Sequence, residues 1–335
     1  MPRKTIVKQQ GKGPTHMASL TKIVATVELE QEHIDRLNQE FPDLQVALCA
    51  DQSRLAEHLS GAQGIIGRGL TADLISQFPE IRWAHSPGAG VDSFLFPEMI
   101  DSDITVTNNS GVHASTIAEH LLGMMLAFTR GFPEMVHNQA KHVWRRPSTP
   151  IVELGYQTLA VVGLGDIGHA LAVRAKALGM RVVGSRRRSQ EPMDSVDQIY
   201  SPDNLHEMIA EADHVAITLP STPRTRGLFG KSEFETMKDS AIIYNIGRGD
   251  IIKQEELIDA LNNGVIAGAG LDVATPEPLN EDSPLWDTPG VFITPHYSGS
   301  TPHYWDYGIE ILLKIIRNIR NDEPVFNQVD KREGY

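Results

Sequence analysis

"TLAVVGLGDIGHALAVRAKALG", residues 158–179, is the stretch on which the fold turns. An apolar strand runs into Gly163, Gly165 and Gly168, a segment of helical periodicity follows, and "RVVG" at residues 181–184 reads as the next strand. Gly-x-Gly-x-x-Gly is a weak signal alone. Between a strand and a helix its glycines acquire separate jobs: Gly163 makes the tight turn, Gly165 lets the backbone approach a pyrophosphate, and Gly168 lets helix and strand pack closely. The start of the helix adds unpaired N–H groups and the positive end of its dipole. The stretch therefore predicts a dinucleotide-binding strand–turn–helix–strand unit.

The same alternation extends in both directions. Before the Pro-rich "RRPSTP" at residues 145–150 the predicted strands are "KIVATVEL", "VALCA", "GIIG", "IRWAHS" and "ITVTN", separated by amphipathic segments such as "QEHIDRLNQE" and "TADLISQF". After it come "TLAVVG", "RVVG", "HVAITL", "AIIYNI", "IAGAGLDV" and "VFITP", with helical segments such as "DNLHEMIAEA", "SEFETM" and "QEELIDALNNG" between them. Such alternation predicts an α/β chain of parallel strands joined by right-handed helical crossovers. Residues 115–130, "STIAEHLLGMMLAFTR", read as a long buried helix connecting two domains. A last amphipathic helix over residues 302–321 comes too late for the second sheet and is expected to pack on the first domain, which makes that domain discontinuous.

Composition narrows the function. The 335 residues suffice for about two domains. A net charge of -13, from 30 Lys and Arg against 43 Asp and Glu, argues against a dedicated binder of nucleic acid or of an anionic membrane. The one cysteine, Cys49, sits in an apolar run and reads as a core residue; no intrachain disulfide can form, and a reducing compartment such as the cytoplasm is expected. The apolar run "LLGMMLAF" is too short to cross a bilayer, so no membrane span is expected, and no metal site is expected either. Residues 1–21 lack acids and any apolar segment of the signal-peptide kind, and read as a disordered tail or an added remnant.

In so acidic a chain, "SRRRS" at residues 185–189 needs a local reason. About 20 residues after the first glycine, an NAD site places a carboxylate on the ribose 2'-hydroxyl. Ser185, Arg186 and Arg187 occupy that place. A guanidinium leaves a hydroxyl without its acceptor but makes charge-assisted bonds to a 2'-phosphate, so NADP(H) is the expected cofactor and NAD(H) the alternative.

Three later strand ends offer chemistry: Arg248 in "AIIYNIGRGD", Asp272 and Glu277 in "AGAGLDVATPEPL", and His296 in "VFITPHYSGS". Ligands of open α/β sheets gather outside the carboxyl ends of the strands. Reducing a 2-oxo acid takes a cation for the carboxylate, a proton donor for the carbonyl oxygen, and a group that keeps the donor protonated. Arg248, His296 and Glu277 meet those needs in turn.

Together these segments resemble the D-isomer-specific 2-hydroxyacid dehydrogenase family. The likeness rests on the order and spacing of "GAGVD", "AEHLLGMMLA", "VVGLGDIG", "LPSTPRTRGL", "NIGRGD", "GLDVATPEPL" and "TPH". The resemblance implies two Rossmann/flavodoxin-like parallel-sheet domains: a substrate domain over residues 22–112 plus 300–335, and a dinucleotide domain over 113–299. It implies Arg248, Glu277 and His296 as the catalytic trio. It places Asp166, Ile167, Leu219, Pro220, Thr225, Ile246 and Asp272 around the dinucleotide, with Asp272 near the nicotinamide amide. It assigns the substrate carboxylate to the backbone N–H groups of Ala89 and Gly90, puts Arg68 at the cleft, and likens Trp144 to a residue on a dimerisation arm.

Arginines in place of the usual acid, and the end of the chain soon after the last helix, bring the pattern closest to the NADPH-preferring glyoxylate and hydroxypyruvate reductases of that family. The expected protein is thus a homodimeric reductase of small 2-oxo acids. A dinucleotide-sensing binding protein of corepressor type and an NAD-dependent dehydrogenase of a larger 2-hydroxy acid are the alternatives.

Overall fold

The computed structural model describes residues 20–91, 93–148, 150–187 and 191–334. The expected N-terminal tail lies outside the described residues except for Leu20 and Thr21. Those two belong to the fold: Leu20 is 2% exposed in a hydrophobic core, and the Thr21 carbonyl accepts the N–H of Gln45 at 2.7 Å.

In chain order the elements are β1 (Lys22–Ala25), α1 (Gln31–Glu40), β2 (Gln45–Leu48), α2 (Leu55–His58), β3 (Gly64–Ile66), α3 (Ala72–Gln77), β4 (Trp83–Ser86), α4 (Pro97–Asp101) and β5 (Thr105–Asn108). There follow α5 (Ala114–Thr129), α6 (Phe132–Ala140), β6 (Thr158–Val162), α7 (Asp166–Ala177), β7 (Arg181–Ser185), β8 (Gln198–Tyr200), α8 (Leu205–Ala210) and β9 (His214–Ile217). The chain closes with α9 (Lys231–Thr236), β10 (Ile242–Asn245), α10 (Gln254–Asn262), β11 (Gly268–Leu271), β12 (Val291–Ile293) and α11 (Tyr304–Arg320).

These form two units. Residues 20–110 with 303–334 make the first, Gly111–Pro302 the second. The first holds a parallel sheet in the order β2-β1-β3-β4-β5, the flavodoxin-like arrangement. The late helix α11 belongs here, because Ile309, Leu312, Leu313, Ile315, Ile316 and Ile319 share a core with Ile23, Leu37 and Trp83. Residues 327–329 run antiparallel along β5, where Val329 N–H donates to the Val106 carbonyl at 2.8 Å and covers that sheet edge.

The second unit holds a parallel sheet in the order β12-β11-β10-β9-β6-β7-β8. Starting from β6, this is the doubly wound dinucleotide-fold order with one extra strand, and the order reverses between β6 and β9. The α5 helix, expected to connect domains, lies within this unit. Its Ile117, Leu121, Met124 and Met125 pack with Leu171, Ala172 and Ala175 of α7.

Three elements had no counterpart in the sequence reading. β8 is a three-residue edge strand, α4 has five residues, and α6 starts after Gly131 with φ 68° and carries Pro133 in its first turn. β8 and α4 are too short to show a period of apolar residues, whereas Phe132, Met135 and Val136 of α6 do stand at helical spacing.

Candidate active site

The phosphate turn of the second unit is built by close approach. Gly163 takes φ 110°, and a Cβ there would lie 2.8 Å from Cδ2 of Leu219. At Gly168 a Cβ would run into the Gly163 carbonyl oxygen and Val161, so only glycine lets α7 start against the turn. At Gly165, in contrast, a Cβ would meet nothing within 4 Å. Gly165 is the N-cap of α7 and supplies no side-chain cap to the helix's first N–H groups, which a phosphate could take up. Asp166 is exposed and Ile167 half-buried in the first turn. Thr218, which the sequence reading passed over, braces the turn with its hydroxyl on the Gly163 carbonyl at 2.6 Å.

Most of the other predicted cofactor residues lie on the segments that follow β7, β9 and β10. Ser185, 5% exposed, ends β7, and its carbonyl accepts the Leu164 N–H at 2.8 Å. Half-buried Arg186 and exposed Arg187 follow at once, and Arg186 donates to the Glu191 carbonyl at 3.0 Å. The third arginine, Arg188, lies outside the described residues. After β9, Leu219 and Pro220 open a loop whose turn is closed by the Thr225 hydroxyl, donating to the Pro220 carbonyl at 2.7 Å and accepting the Thr222 N–H at 2.8 Å. Ile246 is buried after β10.

β10, β11 and β12 are neighbouring strands, and their carboxyl ends carry Arg248, the Asp272–Glu277 segment and His296. Arg248 Nη1 donates to the Gly247 carbonyl at 2.8 Å. Next to it, Gly249 abuts the Ala274 carbonyl with no room for a Cβ, while Ala274 N–H donates to Glu277 Oε1 at 3.1 Å. The other Glu277 oxygen, Oε2, lies 2.7 Å from His296 Nδ1. His296 is half exposed and has φ 52°, a conformation uncommon for a residue with a side chain. With Nδ1 taken by Glu277, Nε2 is the ring atom left to exchange a proton with a ligand.

Asp272 holds this segment in place, a duty the sequence reading did not assign it. It is 1% exposed. Its carboxylate accepts the Thr294 hydroxyl at 2.5 Å and the N–H groups of Tyr297 at 2.9 Å and Ser298 at 3.0 Å, and its backbone carbonyl accepts the His296 N–H at 2.8 Å. His120 Nε2 approaches the same cluster, 3.0 Å from Thr294 Oγ1. Burial alone would raise the Asp272 pKa; the hydrogen bonds from Ser298, Thr294 and Tyr297 outweigh it and hold the carboxyl below the usual aspartate range.

A carboxyl with a folded pKa below its unfolded value of about 3.9 adds stability above that pH, and the contribution vanishes as pH falls through the folded value. Asp272→Asn turns one acceptor into a donor aimed at N–H groups, and is expected to cost about 2–3 kcal/mol at neutral pH. The same variant should lose less stability than the wild type on acidification below about pH 4. Thermal unfolding across pH measures both, and identical curves would contradict the clamp.

In the first unit, exposed Arg68 follows β3 and exposed Ala89 and Gly90 follow β4. The loop carbonyls are anchored in succession: Pro87 by Asn109 Nδ2 at 3.3 Å, Gly88 by Asn109 N–H at 3.1 Å, Ala89 by Asn108 Nδ2 at 2.8 Å and Gly90 by the Ser86 hydroxyl at 2.9 Å. Among the described residues the N–H groups of Ala89 and Gly90 meet no acceptor, so the loop offers donors to an anion. Polar Ser86, Asn108 and Asn109 at the carboxyl ends of β4 and β5 were the available sequence signal.

The remaining predicted features fall as follows. Cys49 is buried and its thiol donates to the Asp51 carbonyl at 3.2 Å. Trp144 is fully exposed, in a segment that also exposes Phe132, Val136 and Tyr156. No helix among the described residues is long and apolar enough to cross a membrane. Glu32, His33 and Asp306 place three potential metal-ligand atoms within 4.8 Å of one another. There His33 Nδ1 accepts the Glu30 N–H at 3.1 Å, which puts the ring proton on Nε2, facing Asp306 at 3.5 Å, and leaves that nitrogen no lone pair for a metal.

Comparison with known proteins agrees with this geometry. The family model for the NAD binding domain of D-isomer specific 2-hydroxyacid dehydrogenases matches residues 122–298. Glyoxylate/hydroxypyruvate reductase B of Salmonella newport is 34% identical over 290 residues, covering 84% of this chain and 89% of that protein. D-3-phosphoglycerate dehydrogenase of Methanocaldococcus jannaschii is 30% identical over 314 residues, 93% of this chain; the chain spans only 60% of that longer protein. Among solved structures, the NADPH-dependent glyoxylate/hydroxypyruvate reductase of Sinorhizobium meliloti, in complex with NADP and sulfate, superposes with a TM-score of 0.79 at 27% identity, over 94% of this chain and 100% of that one.

Proposed function

The chain belongs to the D-isomer specific 2-hydroxyacid dehydrogenase family, NAD(P)-dependent oxidoreductases of 2-hydroxy acids, and from that premise we propose that it is an NADPH-preferring reductase of small 2-oxo acids such as glyoxylate and hydroxypyruvate. The observation that carries the reading is the 2.7 Å His296–Glu277 pair at the carboxyl end of the same sheet that bears the open phosphate turn.

Gly163, Gly165, Asp166, Ile167 and Gly168 would hold the pyrophosphate, with Leu219, Pro220, Thr225, Ile246 and Asp272 along the rest of the dinucleotide. Ser185, Arg186 and Arg187 would receive the 2'-phosphate. Bound NADPH supplies the hydride. His296 gives the proton from Nε2 to the carbonyl oxygen, and Glu277 holds the ring by Nδ1. Arg248 would polarise the carbonyl of the bound acid, and within the first unit the backbone donors of Ala89 and Gly90 are the groups suited to a carboxylate, with Arg68 the cation of that unit. The units 20–110 with 303–334 and 111–302 are accordingly assigned to substrate and dinucleotide. The exposed apolar residues around Trp144 support homodimerisation through that segment, and the single buried cysteine suits the cytoplasm.

Initial rates with NADPH and NADH against glyoxylate, hydroxypyruvate, pyruvate and branched 2-oxo acids test the reading. NADPH with glyoxylate or hydroxypyruvate should give the highest kcat/KM. Arg186→Asp removes a charge-assisted partner of the phosphate and should shift the NADPH/NADH ratio of kcat/KM by about 10- to 100-fold towards NADH. An unchanged ratio contradicts the cofactor assignment, and tight NADPH binding without turnover of any 2-oxo acid would favour a sensing protein.

A further inference from the structure

Below the loop of residues 87–90 lies a chain of fully buried polar side chains, Trp83, Thr107, His85 and Asn109, in the first unit. Trp83 Nε1 is 2.8 Å from Thr107 Oγ1, Thr107 Oγ1 is 2.8 Å from His85 Nδ1, and His85 Nε2 is 3.1 Å from Asn109 Oδ1. Asn109 Nδ2 then reaches the Pro87 carbonyl at 3.3 Å and the Tyr304 hydroxyl at 3.2 Å.

Only one direction of donation satisfies every atom. An indole N–H can only donate, so Thr107 Oγ1 accepts from Trp83, and its own proton must go to His85 Nδ1. A neutral ring with a bare Nδ1 carries its proton on Nε2, which donates to Asn109 Oδ1. That fixes the amide with Nδ2 towards Pro87. The reverse order would set Asn109 Oδ1 against the Pro87 carbonyl, two acceptors face to face in a buried place. Burial drives the His85 pKa down to about 3, only partly offset by its bond to Asn109, so the ring stays neutral under ordinary conditions.

We propose that Trp83, Thr107, His85 and Asn109 form a one-way hydrogen-bond relay of positioning residues that sets the 87–90 loop, so that the Ala89 and Gly90 N–H groups face a substrate carboxylate. This rests on the carboxylate reading of that loop given above. None of the four touches substrate; the relay acts through the Pro87 and Gly88 carbonyls, both held by Asn109.

Two measurements test it. Nitrogen NMR of the histidine rings, with the His85 signal assigned by its loss in His85→Gln, should show a protonated Nε2 and a bare Nδ1; the opposite tautomer overturns the relay. Kinetically, His85→Leu leaves Asn109 Oδ1 without a donor and should raise KM for glyoxylate about tenfold, with kcat within about threefold and the NADPH Kd unchanged. His85→Gln keeps an N–H for Asn109 and should bring KM back to within about threefold of wild type. Should the leucine variant not fold, Thr107→Val, which breaks the relay one step earlier with little change of shape, should raise KM in the same selective way. Gly90→Pro deletes one of the loop donors and separates the two layers of inference. If it raises KM while neither relay variant does, the loop binds the carboxylate and the relay is wrong; if it leaves KM unchanged, the carboxylate reading falls and the relay's function with it.

Discussion

His296→Ala is expected to lower kcat by about 10²- to 10⁴-fold, the usual contribution of a general acid, while NADPH still binds. The reasons are local. The ring is fixed through Nδ1 by Glu277 at 2.7 Å, and its backbone is held by the Asp272 carbonyl at 2.8 Å in a conformation with φ 52°. A side chain held at both ends, with one nitrogen engaged and the other presented, is preorganised for proton delivery, and alanine removes the donor without disturbing the phosphate turn across the sheet. Turnover of hydroxypyruvate alongside a fluorescence titration with NADPH reads both quantities. Near-normal kcat would exclude His296 as the acid, and loss of NADPH binding would mean that its role is not confined to proton transfer.

Arg248→Gln should reduce kcat/KM for glyoxylate by about 10²- to 10³-fold, comparable with removal of a donor that stabilises a developing oxyanion. A guanidinium can grip carboxylate and carbonyl oxygens together, and a carboxamide supplies neither the charge nor the fork. Arg248→Lys restores the charge but not the planar pair of donors, and should recover only part of the loss. Its seat is rigid: the preceding Asn245 Nδ2 donates to the Arg248 carbonyl at 2.9 Å, and Gly249 is wedged against the Ala274 carbonyl. Wild-type kcat and KM in the glutamine variant would remove Arg248 from the substrate site.

Much of this was legible in the sequence because its causes are local. Gly163, Gly165 and Gly168 each answer a constraint within one strand–turn–helix unit, and β6 and α7 form where residues 158–179 foretold. That Arg248, Glu277 and His296 follow neighbouring strands was legible for a topological reason, since the carboxyl ends of parallel strands share one edge of the sheet, and residues at those ends come near each other when the strands pair.

The unread parts depend on distant partners. Asp272 was placed by resemblance beside a cofactor, but its buried carboxylate also clamps residues 294–298, a role that exists only once β11 and β12 pair. The support of the 87–90 loop is similar. Asn108 is itself held by Asn327, whose amide donates to the Asn108 carbonyl at 3.1 Å across 219 residues of chain, and no local pattern announces such a bond. β8 escaped because three edge residues carry no period.

The most direct test of the reductase reading is the product itself. Purified protein incubated with hydroxypyruvate and NADPH should consume the two in equal amounts and form glycerate, resolved by chiral chromatography as the D enantiomer. The L enantiomer, or NADPH left unspent in the presence of the keto acid, would contradict it.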